Sequence, residues 1–172
     1  ATALAKMLCE NVEELNWWVR NEDTIAHIEK FGRNPKYIQS IEFPTDKLKL
    51  SNNMRDVIEA SDIIIVAIPS MYIDKAFDEA FGNEVPVEMN NKLFFSAIKG
   101  MIPKYNSIPA RYLHKRFDIP YDRIGIICGP CHAEEVARER LSYLTVACPE
   151  TDNAELFAPL LRTRYIKVST SD

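Results

Sequence analysis

Residues 62–68 read Asp-Ile-Ile-Ile-Val-Ala-Ile and run directly into Pro69-Ser70. A stretch this apolar, with no polar alternation, has both faces buried, as in a parallel strand packed between two helical layers. Upstream of it, Met54, Val57 and Ile58 form the apolar face of a short helix, and Lys47–Ser51 alternates as a small edge strand. Asn34-Pro35-Lys36-Tyr37 reads as a turn. Before that turn, Asn21 can cap a helix running to about Phe31, with Ile25, Ile28 and Phe31 on one face and Gly32 as its stop. Leu15–Val19 is a further short strand, and Ala1–Cys9 is helix-prone with no capping residue ahead of it.

Downstream the same grammar repeats. Ser70 can cap a helix through about Phe81, and Lys92–Ile98 is the next strand, ending at Lys99-Gly100. A helix around Pro109–Arg116, the strand Arg123–Ile127 and Gly129-Pro130 follow. The helix His132–Arg140, the strand Tyr143–Ala147, the helix Asn153–Arg162 and the strand Tyr165–Ser169 complete the chain. Strands and helices that alternate across short loops make βαβ units. The expectation is an α/β fold with a doubly wound, mainly parallel, Rossmann-type sheet, and one dinucleotide-binding domain over residues 1–172.

Composition narrows the partners. The 172 residues carry 21 Lys and Arg against 25 Asp and Glu, interspersed, for a net charge of −4. A nucleic-acid partner ordinarily demands a basic face, so none is expected. A small phosphorylated ligand remains compatible, because a few cations and backbone N–H groups suffice to hold one. No apolar run approaches the roughly 18 residues of a membrane span, so no membrane insertion is expected. Cys9, Cys128, Cys131 and Cys148 are too few and too scattered for a disulfide scaffold, which points to a reducing, cytoplasmic setting.

Open parallel sheets bind ligands at the carboxyl ends of their strands. That rule selects Arg20, Pro69-Ser70, Lys99-Gly100 and Gly129-Pro130-Cys131. Arg20 suits a ribose 2′-phosphate or stacking on adenine, and suits a solvated strand end as well. Tyr37 could pack beside the adenine or be a half-buried loop aromatic. Pro69 offers a flat ring and a fixed turn next to a nicotinamide or ribose, although such prolines also occur in turns that bind nothing. Lys99 leaves an apolar strand where an ammonium can polarise a carbonyl or hold an anion. Cys128-Gly129-Pro130-Cys131 matches a thiol–disulfide motif in isolation, but it follows several strand–helix units and precedes a helix whose free N–H groups could bind an anion or hydroxyl. His132 is the one further metal ligand nearby, so no metal site is expected. His27 and His114 lie in helical segments without evident partners.

Taken in order, these segments resemble the bacterial-type NAD(P)-dependent glycerol-3-phosphate dehydrogenases. The resemblance rests on Thr2-Ala3-Leu4-Ala5, Trp18-Val19-Arg20-Asn21, Asn34-Pro35-Lys36-Tyr37, Val66-Ala67-Ile68-Pro69-Ser70, Lys99-Gly100, residues 129–137 (Gly-Pro-Cys-His-Ala-Glu-Glu-Val-Ala) and Val168-Ser169-Thr170-Ser171-Asp172. It covers the whole chain. It implies interconversion of dihydroxyacetone phosphate and sn-glycerol 3-phosphate with NAD or NADP, supplying glycerol 3-phosphate for phospholipid synthesis.

The resemblance places Arg20 and Tyr37 at the adenosine end of the cofactor, and Lys99 against both cofactor and substrate. Gly129 and Cys131 line the substrate site, and Ala133 contacts the cofactor. Where Cys131 stands the family usually has Ser or Thr, a better hydrogen-bond donor than a thiol, and Phe is frequent at the position of His132. The family also begins with a strand and a Gly-x-Gly-Ser-Trp-type loop ahead of the residue matching Ala1. Its second, helical domain carries a proton-transfer lysine and the grip on the substrate phosphate. The sequence is therefore expected to lack the first strand, the glycine loop and the helical domain, and to be inactive alone; a homodimer is compatible with it. Two rivals stand beside this reading: another Rossmann dehydrogenase of the hydroxyacid type, and a thiol–disulfide module using Cys128 and Cys131.

Overall fold

Seven strands and seven α-helices follow one another in the computed structural model, which describes residues 1–172. In chain order they are α1 (Thr2–Cys9), β1 (Leu15–Trp18), α2 (Glu22–Phe31), β2 (Leu48–Ser51), α3 (Met54–Glu59), β3 (Ile63–Val66) and α4 (Ile73–Phe81). Then come β4 (Leu93–Ser96), α5 (Pro109–Phe117), β5 (Ile124–Cys128), α6 (Ala133–Ala137), β6 (Ser142–Ala147), α7 (Thr151–Leu161) and β7 (Ile166–Ser171). Four single-turn 3-10 helices punctuate the loops. No helix is long and apolar enough to cross a membrane.

The apolar run at 62–68 forms β3, parallel to β4, which in turn is parallel to β5. Period-two alternation sends adjacent residues to opposite faces, and Phe94 and Phe95 show it. Phe94 packs with Met54, Ile73, Phe77, Leu113 and Phe117 of α3, α4 and α5. Phe95 packs with Met7 of α1, Val136 of α6 and Phe157 and Leu161 of α7. The sheet is thus covered on both sides, as its two-faced hydrophobicity requires. From β5 onward one face opens: Ile126 and Cys128 of β5 and Tyr143 of β6 are exposed.

Two features depart from a single parallel sheet. First, β5 and β6 are antiparallel, because α6 is a five-residue turn of helix and does not carry the chain back as a crossover. The expected His132–Arg140 helix stops early: Arg138 leaves helical geometry and Glu139 takes φ +53°. Second, β1 and β2 form their own parallel pair, separate from β3–β7. No ladder joins β1 to β3, yet the two feed the same cores. Trp18 packs on the cluster that Ile64 touches, and Leu15 on the cluster that Ile63 and Ile65 touch. The Asn16 amide donates to the Ala60 carbonyl and the Ser61 hydroxyl just ahead of β3.

Helix α1 spans both sheets. Ala3, Met7 and Leu8 join the core of the five-stranded sheet, while Ala5 and Cys9 join Ile28, Phe43 and Leu48 under the small one. Lys47, immediately before β2, donates its ammonium to the Cys9 and Val12 carbonyls and so caps the end of α1. That end therefore lies at the amino ends of β1 and β2, and the start of α1 lies at their carboxyl ends.

Local signals account for most boundaries. The Asn21 side chain accepts from the Thr24 N–H at the start of α2, and Gly32 closes that helix. Ser70 does not cap α4: residues 69–72 form a turn, with the Tyr72 N–H on the Pro69 carbonyl, and the helix starts at Ile73 without a side-chain cap. Helix α7 begins two residues before the expected start and carries Pro159 within it, and β7 runs on to Ser171. His114 has partners after all: its Nδ1 lies 2.9 Å from the Ile119 carbonyl and its ring stacks on Tyr121. His27 sits against Phe31.

Candidate functional site

The registers bring three of the selected strand-end residues into line. Val66, Ser96 and Ile126 are mutual partners across β3, β4 and β5. Pro69, Lys99 and Gly129 each stand three residues beyond one member of that row. Parallel strands lie about 4.8 Å apart, so the three leave the sheet side by side at its carboxyl edge. All three are exposed.

Lys99 projects from this edge without an ion-pair partner, and Gly100 behind it adopts φ +80°, a conformation that lets the chain turn away at once. Cys131 is half-buried. Burial pushes the Cys131 thiol up and Glu135 adds to that, while the Ser142 hydroxyl and the Lys99 ammonium pull the other way. The β4 and β5 loops therefore bring an ammonium and a thiol within electrostatic reach of each other. Gly129, at φ +132°, is held by close packing: a Cβ there would meet the Tyr143 carbonyl oxygen at 2.6 Å. Its glycine identity is explained by this approach to β6.

Helix α6 supplies less than the sequence suggested. It is one short turn, and Glu135 turns back to accept the His132 N–H at 3.2 Å, so one amide at the helix start is already taken. Ala133, at its start, is exposed. Cys128 lies inside β5 with its thiol on the Thr145 carbonyl, and not at a helix start. In a thiol–disulfide motif a helix start activates the first cysteine, and Cys128 lies in a strand, so a redox module is not favoured. Nowhere do three or more His, Cys, Asp or Glu side chains converge to hold a metal ion.

Arg20 and Tyr37 lie on the small-sheet side. Arg20 is exposed, follows β1 by two residues and makes no ion pair. Tyr37 is 65% exposed, more open than a half-buried loop aromatic, and its ring contacts no other aromatic. The backbone beneath it is fixed by Asn34, whose Oδ1 accepts from the Lys36 and Tyr37 N–H groups at 2.9 and 3.3 Å. The Asn34 Nδ2 donates to the Thr2 hydroxyl at the start of α1, at 3.3 Å. A depression of about 300 Å³ lined by Met89, Lys92, Phe117, Pro120 and Arg123 lies at the opposite end of the sheet, by the amino ends of β4 and β5.

Two contributors were not singled out from sequence. Asn34 was read only as part of a turn, although an Asn ahead of Pro signals a side chain that bonds its own backbone two residues on. Asp74, 9% exposed, accepts from Lys104, from the Tyr105 hydroxyl at 2.8 Å and from the Tyr112 hydroxyl at 3.1 Å. It ties α4, which follows Pro69, to the loop that follows Lys99. No spacing rule pairs residues 74, 104, 105 and 112 in advance.

Comparison with known proteins gives a consistent result. Residues 1–154 match the family model described as NAD-dependent glycerol-3-phosphate dehydrogenase N-terminus. Glycerol-3-phosphate dehydrogenase (NAD(P)+) of Limosilactobacillus reuteri (strain DSM 20016) is 26% identical over 174 residues, covering 99% of this chain and 50% of the relative. The Lysinibacillus sphaericus (strain C3-41) protein of the same name is 27% identical over 176 residues, covering 99% and 49%. The chain thus spans about half the length of the curated relatives it matches. Among solved structures, glycerol-3-phosphate dehydrogenase of Plasmodium falciparum superposes with TM-score 0.84 at 20% identity, over 98% of this chain and 48% of the other. An imine reductase from Pseudomonas sp. superposes with TM-score 0.60 at 14% identity. At those identities the structures speak for the Rossmann-like fold. The matched model spans most of the sequence, and on that ground the chain belongs to the family of the NAD-dependent glycerol-3-phosphate dehydrogenase N-terminus.

Proposed function

We propose that this chain is the dinucleotide-binding part of an NAD(P)-dependent glycerol-3-phosphate dehydrogenase that interconverts dihydroxyacetone phosphate and sn-glycerol 3-phosphate. The observation that carries the reading is the row Pro69, Lys99, Gly129 on one sheet edge, with Cys131 within electrostatic reach of Lys99. The residues present fit an elongated dinucleotide. The first amides of α1 have no carbonyl a turn behind them and suit a pyrophosphate. Arg20 and Tyr37, open to solvent, suit the adenosine end, and Pro69 and Ala133 suit contact with the cofactor nearer the reaction. A bound nicotinamide supplies or takes the hydride. Lys99 holds and polarises the ketone, while Gly129 and Cys131 border the substrate.

The same reading covers the organisation of the domain. The outer edges of β1 and β3 are unpaired, yet their side chains share cores on both faces, an arrangement suited to one more parallel strand between them. We assign residues 1–172 to a Rossmann domain completed by such a strand with its glycine loop, and partnered by a helical domain that carries the proton-transfer lysine. The 172-residue polypeptide alone is then inactive. A cytoplasmic location and a homodimer accord with this assignment.

The test is turnover of the complete polypeptide with NADH and NADPH on dihydroxyacetone phosphate and on 2-ketoacids. Preference for the phosphorylated ketone supports the reading. Preference for a 2-ketoacid, or turnover by residues 1–172 alone, would overturn it.

A further inference from the structure

We propose that Asn34 is a positioning residue for the dinucleotide, locking the adenosine platform of Tyr37 to the start of α1 that receives the pyrophosphate. This rests on the cofactor placement given under Proposed function and adds a residue that no strand-end rule selects.

Asn34 is 4% exposed and its partner Thr2 is 5% exposed, so the link lies beneath the surface on which a ligand would rest. One amide group serves two elements. Its oxygen gathers the N–H groups of Lys36 and Tyr37, and its nitrogen reaches the Thr2 hydroxyl. Pro35 has no N–H to donate, and its carbonyl accepts from the Gln39 side chain at 2.6 Å, closing the turn from its other end. Ile38, next after Tyr37, holds φ +48°, a conformation that a β-branched residue adopts only where the surroundings impose it. Ile38 packs on both cores that α1 enters. The Tyr37 ring, 65% exposed, is therefore aimed by its backbone and not by neighbours.

The chemical need is a fixed spacing. Adenosine and pyrophosphate are covalently joined, so the surface under one must keep its distance from the helix start under the other. The Asn34–Thr2 bond is a direct tie between those two places. Losing it leaves Tyr37 and α1 individually intact but free to shift relative to each other, which weakens binding of the adenosine half and spares the chemical step.

The test uses the complete polypeptide, with ADP-ribose and NADH as probes, kcat at saturating cofactor and Tm as controls. Asn34→Ala is expected to raise both dissociation constants about tenfold with kcat within about threefold of wild type; in a Tyr37→Ala background the same change should cost less than about threefold, since the two residues act as a unit. Thr2→Val removes only the acceptor of the Asn34 amide and should weaken ADP-ribose by roughly threefold or more, which serves if Asn34→Ala does not fold. Unchanged ADP-ribose affinity in Thr2→Val, or losses in Asn34→Ala and Tyr37→Ala that simply multiply, would overturn the role of Asn34 while leaving the cofactor placement standing. Failure of the wild-type protein to bind either probe would overturn that placement itself.

Discussion

A Cβ added to Gly125 would stand 2.3 Å from the ring of Phe95 and 2.8 Å from the Ala147 carbonyl oxygen. The absence of a side chain in β5 is what lets the Phe95 ring lie flat, 4.1 Å from Phe157 of α7 at an interplanar angle of 17°. That stack joins the central sheet to the helix over its last two strands. Gly125→Ala is therefore expected to destabilise the complete protein by about 1–3 kcal/mol through overpacking, read as a lower urea midpoint. Phe157→Ala should cost more, about 3–5 kcal/mol, because it empties a fully buried site. A midpoint unmoved by Gly125→Ala would show that the ring has room to shift.

Asp74 gives a prediction in pH. Burial by itself would raise its carboxyl, but hydrogen bonds from Lys104, Tyr105 and Tyr112 outweigh burial and hold the pKa below the ordinary 3.8. A carboxylate depressed by folding contributes stability above its unfolded pKa and loses it as pH falls through the folded one. Asp74→Asn should therefore destabilise by about 1–3 kcal/mol at pH 7, and the gap from wild type should narrow below about pH 4. Lys104→Ala should cost less, since its side chain is 62% exposed and screened by solvent. A gap that stays constant from pH 7 to pH 3 would mean the charge of Asp74 contributes nothing.

The fold was legible to the extent that periodicity governs it. The run at 62–68, the Asn21 cap and the Gly32 stop each act through local physics, and each appears where that physics puts it. The reversal between β5 and β6 was not legible, because it depends on how far α6 runs, and residues 132–140 are amphipathic enough to suggest a full helix. The strand-end rule selected Pro69, Lys99 and Gly129 as candidates without knowledge of the register that aligns them. It could not select Asn34 or Asp74, whose partners come from distant segments joined only by tertiary packing.

The four cysteines separate by environment. Burial pushes the Cys9 thiol up to about 11 and also raises Cys131 and Cys148, and Cys128 alone is exposed. Only thiolate reacts with an alkylating reagent, so access favours Cys128, and the raised pKa values slow the other three. Iodoacetamide at pH 7.5 should label Cys128 first, Cys131 slowly, and Cys9 and Cys148 only on unfolding. Mass mapping of labelled peptides checks the order. Rapid labelling of Cys131, together with an oxidative loss of turnover in unlabelled protein that a dithiol reductant reverses, would revive a redox role.

Lys99 and Cys131 lie within electrostatic reach of each other, and the proposed chemistry gives their substitutions different signatures. On the proposed role, removing the Lys99 ammonium takes away the cation that would hold the substrate and stabilise charge as the carbonyl is reduced. Lys99→Ala should lower kcat/KM on dihydroxyacetone phosphate by about 100-fold or more, the usual effect of losing one preorganised electrostatic group. Lys99→Arg should restore little, because a planar guanidinium cannot place its charge where a compact ammonium sits. Cys131→Ser replaces a weak donor with a stronger one of similar shape, so activity should be kept, with KM for the ketone equal or lower. The two variants therefore divide the site. If Lys99→Ala turns over normally, the carbonyl is held by another group and the row at the sheet edge is not the reaction centre. If Cys131→Ser is inactive while Lys99→Ala is not, the chemistry belongs to the thiol.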